Sequence, residues 1–188
     1  MKMSSARFIP AAQQAVWDAL NDPEVLKACV PGCESIERVS DTEFTVQMTA
    51  KVGPVSAKFK GRITLADVNP PTSYTLAFDG QGGVAGFGKG KAAVALSPAI
   101  ESGAKGTQLA YDVDAQVGGK LAQIGSRLVD GAAAKMADDF FARFGERFAA
   151  HPASDVATEP DGVKAAQTPA PAGLWGRISA WLRRLFGV

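Results

Sequence analysis

Between Lys120 and Ala149 the apolar side chains recur at three- and four-residue steps for about eight helical turns, with no proline to interrupt them. Leu121, Ile124, Leu128, Ala132, Met136, Phe140, Phe144 and Phe148 share one face, while Gln123, Arg127, Asp130, Lys135, Asp138, Asp139, Arg143, Glu146 and Arg147 fall mostly on the other. A helix of this kind has one face to bury, so whatever precedes it must supply the cover. Gly118-Gly119 stops the preceding segment and His151-Pro152 ends the helix. Most of the apolar face serves as ordinary core. Gly125, Ala132 and Ala133, however, stand beside large Phe and Met residues, and such a mixture can leave a cavity.

The cover is a sheet. Met3–Ile9 reads as a first strand ended by Pro10, and residues 11–21 as a short helix with Ala15, Val16, Ala19 and Leu20 near one face and Trp17 at its edge. Asp22-Pro23 starts a second short helix over Glu24–Ala28, because Asp can cap free amides and Pro is tolerated at the first helical position. Val30-Pro31-Gly32 then turns the chain. From Cys33 the period becomes two. Phe44, Val46, Met48, Ala50 and Val52 alternate with polar neighbours; Gly53-Pro54 turns; Ala57, Phe59, Gly61, Ile63 and Leu65 alternate with Lys58, Lys60, Arg62 and Thr64. Asn69-Pro70-Pro71 turns again before Tyr74, Leu76 and Phe78. Residues 86–96 form a further strand, Ser97–Gly106 reads as a loop, and Leu109, Tyr111, Val113, Ala115 and Val117 alternate in the last strand. Alternating strands joined by short turns make an antiparallel meander with one wet and one covered face. The predicted class is α+β: a strand, two short helices, six strands, and a long terminal helix gripped by the curved sheet.

Six of the eleven residues from Gly80 to Gly90 are glycine, and Gly88, Gly90 and Ala92 share a strand face with Val94 and Leu96. Ala57 and Gly61 also point inward. Strand glycines mark bends or close approach of a backbone or ligand; here they either permit curvature or leave a pocket beneath the helix.

Composition bounds the chemistry. In 188 residues, 46% are hydrophobic and 21% charged, with a net charge of +1, as in an ordinary globular domain. Residues 1–150 hold 16 basic and 16 acidic side chains, 151–172 hold one and three, and 173–188 hold three and none. A neutral domain without a broad basic face is not built for nucleic acid. There is no continuous apolar run before Pro10 to suggest a signal peptide, and no uncharged apolar run reaches the ~18 residues of a spanning helix. Gly80-Gln81-Gly82-Gly83-Val84-Ala85 fits the loose G-x-G-x-x-G/A pattern, but a strand follows where a phosphate cradle needs a helix N-terminus; Gly83–Gly90 likewise lacks the Ser or Thr of a P-loop. The one histidine, His151, lies at the domain's end, and Cys29 and Cys33 are too few for a disulfide framework or a zinc site. They read as small buried residues. Asp112 and Asp114 belong to a solvated face. No metal site and no catalytic constellation emerges, so the domain is expected to be non-enzymatic.

Residues 151–173 contain Ala, Pro, Thr and acids but no Leu, Ile or aromatic residue, too little apolar surface to order a chain. They read as a disordered tether whose ends lie roughly 25–30 Å apart. Residues 174–188 then form an amphipathic pattern: Leu174, Trp175, Ile178, Trp181, Leu182, Leu185, Phe186 and Val188 fall within an arc of roughly 160°, opposite Arg177, Arg183 and Arg184. At roughly 22 Å this helix is too short to cross a bilayer core of about 30 Å. It suits the interface, with Trp and Phe at headgroup depth and arginines toward anionic phosphates. Docking onto a partner protein or onto its own domain is the alternative reading.

Taken together, Val16-Trp17-Asp18-Ala19-Leu20, Asp22-Pro23-Glu24-Val25-Leu26, the turn Cys29-Val30-Pro31-Gly32-Cys33-Glu34 and the Gly80–Gly90 strand resemble the CoxG family of carbon monoxide dehydrogenase subunits, within the START/Bet v 1-like (SRPBCC) superfamily of helix-grip domains. The resemblance spans roughly residues 1–148, and a variable linker with an amphipathic tail is similar too. It implies an accessory protein, without catalytic residues, that holds a lipophilic molecule such as a respiratory quinone and recruits a molybdenum hydroxylase such as carbon monoxide dehydrogenase to the cytoplasmic face of the cell membrane. The expected parts are a helix-grip domain over 1–150, the linker over 151–173 and a membrane-binding helix over 174–188. The expected pocket lining is Phe59, Ile63, Tyr74, Leu76, Phe78, Phe87, Tyr111, Leu128, Met136 and Phe140, with Tyr74 or Tyr111 able to meet a carbonyl. No covalent cofactor is expected. A ligand-free docking scaffold and a cyclase- or hydrolase-like enzyme are the other two readings.

Overall fold

A computed structural model describes residues 1–149. The elements follow the order β1 (Lys2–Ile9), α1 (Gln13–Leu20), α2 (Pro23–Cys29), β2 (Cys33–Arg38), β3 (Glu43–Val52), β4 (Val55–Asn69), β5 (Ser73–Gln81), a 3₁₀ turn (Gly83–Ala85), β6 (Phe87–Glu101), β7 (Ala104–Gly118), α3 (Lys120–Gln123) and α4 (Ser126–Ala149). The seven strands form one antiparallel sheet in the order β1-β7-β6-β5-β4-β3-β2. The alternation seen in the sequence places Phe44, Tyr74, Leu96, Leu109 and Tyr111 on the covered face, and Lys58, Lys60, Asp112 and Asp114 in solvent.

The short helices are fixed by specific polar contacts. Asp22 caps α2 by accepting a hydrogen bond from the Glu24 amide at 2.9 Å. Gln13 donates to the carbonyls of Pro71 (3.1 Å) and Leu96 (3.0 Å), pinning α1 across the β4–β5 turn and β6. The fully buried Thr107 hydroxyl donates to the Ala11 carbonyl at 2.7 Å, which leaves no polar group of that side chain unpaired. In α1 the buried residues are Val16, Trp17, Ala19 and Leu20, whereas Ala15 is exposed.

The terminal helix departs from the sequence expectation. It is not continuous from Lys120: Gly125 adopts φ +94°, a left-handed conformation that a side chain resists, and divides α3 from α4. Within α4 each four-residue step turns about 40° past a full circle, so around the helix Leu128 lies roughly 160° from the fully buried Phe144 and Val129 roughly 60°. Val129 is accordingly buried and Leu128 is 50% exposed, the reverse of the periodic reading. The region Ser97–Gly106 is also no loop; β6 and β7 run on through it as a long hairpin, pairing Ser97 with Gln108 and Glu101 with Ala104.

Packing is uneven along α4. Its C-terminal half carries an aromatic ladder, Phe140–Phe144 stacked at 5.5 Å and Phe144–Phe148 edge-on at 5.3 Å, while Tyr111 stacks on Phe141 at 5.3 Å. These rings join Ile9, Val16, Trp17, Leu20, Val25 and Leu109 in the main core, and Arg7 ties β1 to the helix through Asp138. The N-terminal half offers Gly131, Ala132 and Ala133 instead, and there the sheet and helix do not fill the space between them.

Candidate ligand-binding cavities beneath the sheet

Two cavities lie under the covered face. The first, about 240 Å³, is walled by α1 and α2 (Leu20, Asn21, Leu26), by Phe44, Ile63, Leu65, Tyr74, Leu76 and Tyr111 from the sheet, and by Phe140 and Phe141 of α4. The second, about 340 Å³, lies toward the β3–β4 turn between Val46, Met48, Ala50, Val52, Phe59, Phe78, Leu121 and Met136. Ile63 lines both. The larger falls within the roughly 300–1,000 Å³ of small-molecule sites and the smaller just below it.

The glycines make the second cavity. A Cβ at Gly88 would meet nothing within 4 Å, so the missing side chain is open volume. At Gly61 a Cβ would lie 2.8 Å from the Asp79 carbonyl oxygen, and at Gly90 it would run into the Asp114 carbonyl and the Phe78 ring. Curvature and pocket therefore have separate glycines: Gly61 and Gly90 let neighbouring strands approach, and Gly88 leaves space.

The first cavity has a mostly apolar lining. Its polar side chains are Asn21, whose amide nitrogen donates to the Trp17 carbonyl at 2.9 Å, Tyr74 and Tyr111. Tyr74 is buried edge-on against Trp17, ring centroids 5.5 Å apart, and that burial pushes its hydroxyl pKa up to about 12. It is a hydrogen-bond donor or acceptor, not an anion, at any ordinary pH. Arg62 and Asp79 border the second cavity, but both are exposed: Arg62 pairs with Glu43 at 2.9 Å and Asp79 accepts from Gln81 at 2.8 Å.

Of the ten side chains expected to line a pocket, Ile63, Tyr74, Leu76, Tyr111 and Phe140 meet at the first cavity, and Phe59, Ile63, Phe78 and Met136 at the second. Phe87 and Leu128 line neither. Phe87 lies against Gly118 with Lys89 above its ring at 5.7 Å, and Leu128 sits over Gly53. The sequence reading missed the wall made by α1 and α2, although the two short helices were themselves visible. Their apolar faces needed something to cover, and the sheet's first cavity is what they cover.

Gly82-Gly83 leads through a 3₁₀ turn into β6, so no helix N-terminus follows the glycine pattern. Cys29 is buried and Cys33 half-buried; burial raises both thiols, against the lowering effect of Arg147 and Arg143 at Cys29 and of Lys27 at Cys33. Both stay protonated near neutrality, which suits packing rather than thiolate chemistry. Among the described residues, no group of three His, Cys, Asp or Glu side chains gathers as a metal site, and no helix is long and apolar enough to cross a membrane. His151, the expected linker 151–173 and the expected helix 174–188 with Trp175, Arg177 and Trp181 lie outside the described residues.

Residues 7–149 match the sequence pattern of CoxG, a subunit of carbon monoxide dehydrogenase. The chain belongs to this family. Among solved structures, the CoxG-type domain is similar to a conserved protein from Geobacillus kaustophilus, with 30% identity, TM-score 0.73, and coverage of 80% of this chain and 97% of that one. A START superfamily protein from Mycobacterium smegmatis (12% identity, TM-score 0.56, 78% and 95% covered) and the Zhui aromatase/cyclase from Streptomyces sp. R1128 (14%, 0.54, 82% and 98%) share its fold. The CoxG domain is thus a START-like helix-grip domain. No curated protein matches the sequence.

Proposed function

We propose that the domain is a non-enzymatic carrier of a lipophilic molecule, a respiratory quinone or a lipid of similar build. In this reading it serves a molybdenum hydroxylase of the carbon monoxide dehydrogenase kind, and residues 174–188 hold it on the inner face of the cell membrane. The observation that carries the reading is the pair of apolar cavities that meet at Ile63, with Tyr74 and Tyr111 in the first and only apolar inward side chains in the second. That division suits a molecule with one polar ring and an apolar tail: the ring within reach of the tyrosines, the tail in the volume left by Gly88. Affinity would come from buried apolar area, about 0.8 kcal/mol per methylene. The partner is drawn from the family's name and the membrane from the tail's sequence pattern.

A catalytic reading, suggested by the aromatase/cyclase likeness, has less in its favour. The first cavity's polar side chains are an amide and two phenols, and Tyr74 holds its proton to about pH 12, so Tyr74 is no general base near neutrality.

The test is a titration with an alkyl-tailed quinone, read by quenching of Trp17 in a chain whose Trp175 and Trp181 are replaced by Phe. Saturable quenching that weakens roughly three- to tenfold in Tyr74→Phe, the worth of one net hydrogen bond, supports the reading. A flat titration rejects it.

A further inference from the structure

Three turns converge at the end of the sheet where the second cavity lies. Leu128, in the first turn of α4, comes within 3.5 Å of where a Cβ on Gly53 would be, in the β3–β4 turn. A Cβ on Gly82 would enter the Phe59 ring, and Gly86 packs against Gly118 and Gly119, which brings the 3₁₀ turn against β4 and the start of α3. Two of the large exposed apolar side chains of the described residues are found on these turns: Val84, 85% exposed, and Leu128, 50% exposed.

The charges around them lean to one sign, the neighbouring acids being Glu34 beside Lys58, Asp79 across from Lys89 at the border of the second cavity, and Asp130 two residues after Leu128. Residues 48–61, 80–90 and 115–129 carry Lys51, Lys58, Lys60, Lys89, Lys120 and Arg127, all exposed, and no Asp or Glu. The rest of residues 1–149 hold ten basic and sixteen acidic side chains. Only at Lys58, held at 3.1 Å by Glu34, is one of the six cations ion-paired with another described residue. A neutral domain has thus been given an end rich in cations, with two exposed apolar points and an apolar cavity behind it. Apolar residues flanked by cations are what anionic lipid interfaces select.

We propose that this end of the folded domain is itself a docking surface for an anionic lipid bilayer, separate from residues 174–188. Val84 and Leu128 enter the headgroup layer, Lys51, Lys120 and Arg127 meet phosphates, and the second cavity faces the membrane. A lipophilic molecule could then pass between bilayer and cavity without crossing water. Geometry permits both contacts together: α4 spans roughly 36 Å from this end to Ala149, and a chain as long as residues 151–173 can extend to about 75 Å. Two linked contacts on one surface reinforce each other through effective concentration. The proposal rests on the carrier reading only for its purpose, because docking is observable with or without a ligand in the cavity.

The experiment uses the full chain with Cys33→Ser, labelled by an environment-sensitive fluorophore at Val84→Cys, and at Ala104→Cys on the far β6–β7 turn as control. Vesicles of phosphatidylcholine with phosphatidylglycerol, doped with acyl-chain spin labels, are compared with phosphatidylcholine alone. The expected result is quenching at position 84 and not at 104, dependent on the anionic lipid. Each cation near such a surface contributes about a fivefold factor in partitioning, so Lys51→Gln with Arg127→Gln should raise the lipid needed for half-maximal quenching by roughly tenfold or more. If the chain sediments with vesicles while the probe at 84 stays unquenched, the domain merely hangs from its tail and the proposal is overturned. It is also overturned if the probe responds to an acidic partner protein but not to vesicles, or equally to both lipid compositions. Quenching at 84 in protein that yields no extractable ligand would sustain docking and reject the carrier reading alone.

Discussion

Filling the second cavity from Gly88 separates ligand binding from folding. Gly88→Leu places four carbons where a Cβ meets nothing within 4 Å, in a cavity of about 340 Å³ whose inward side chains are all apolar. The new side chain displaces three or four methylenes of any alkyl tail held there. At about 0.8 kcal/mol each, that is ~3 kcal/mol, or roughly a hundredfold in Kd. The same carbons gain contacts in the ligand-free protein, and replacing a strand glycine removes a backbone entropy cost, so the melting temperature should hold or rise by a few degrees. The assay pairs Trp17 quenching by an alkyl-tailed quinone with thermal melts, and a tailless naphthoquinone serves as control, since its binding at the Tyr74 end should change little. Unchanged affinity for the tailed quinone in a well-folded variant would refute the assignment of the tail to this cavity. A loss of more than about 2 kcal/mol in stability would instead show that the volume at Gly88 is not open.

Phe144 is fully buried between Phe140 and Phe148, and Phe144→Ala should cost about 3–5 kcal/mol, visible in denaturant melts; a loss under 1 kcal/mol would mean the ladder is not the core. Tyr74 titrates near 12 in the fold against 10 when unfolded, so between those values the folded state binds the extra proton and stability falls as pH rises. The loss reaches about 2 kcal/mol by pH 12 and should be absent in Tyr74→Phe when alkaline melts of the two are compared. Deleting residues 174–188, or making Trp175→Glu with Trp181→Glu, should weaken full-chain binding to anionic vesicles by more than about a hundredfold with the melting temperature unchanged; co-sedimentation identical to the parent would remove the tail from the membrane account.

What the sequence could convey depended on whether a segment has two different sides. Residues 44–65 and 109–117 are half-buried, so their alternation is visible in composition and their phase matches the structure. The β6–β7 extension has solvent on both faces: Ser97, Pro98, Ile100 (72% exposed), Glu101 and Lys105 show no alternation, and the segment looks like a loop although its backbone pairs throughout. The helix break at Gly125 is hidden for the opposite reason. Apolar periodicity continues across it, and within α4 the four-residue steps drift by about 40° each, so Val129 and not Leu128 faces inward with Phe144. The inward glycines were legible as a deficit of volume, but which of them leave a void depends on strand spacing that only the structure supplies.

The most direct measurement is organic extraction of the full chain purified from cells under detergent-free conditions, with mass spectrometry of what leaves it. The expected result is one dominant lipophilic species with a polar ring and a long tail, near one per chain, and markedly depleted in Gly88→Leu. Recovery of no such species, together with no saturable quenching of Trp17 by added quinone, would contradict the carrier function and leave the domain a docking scaffold.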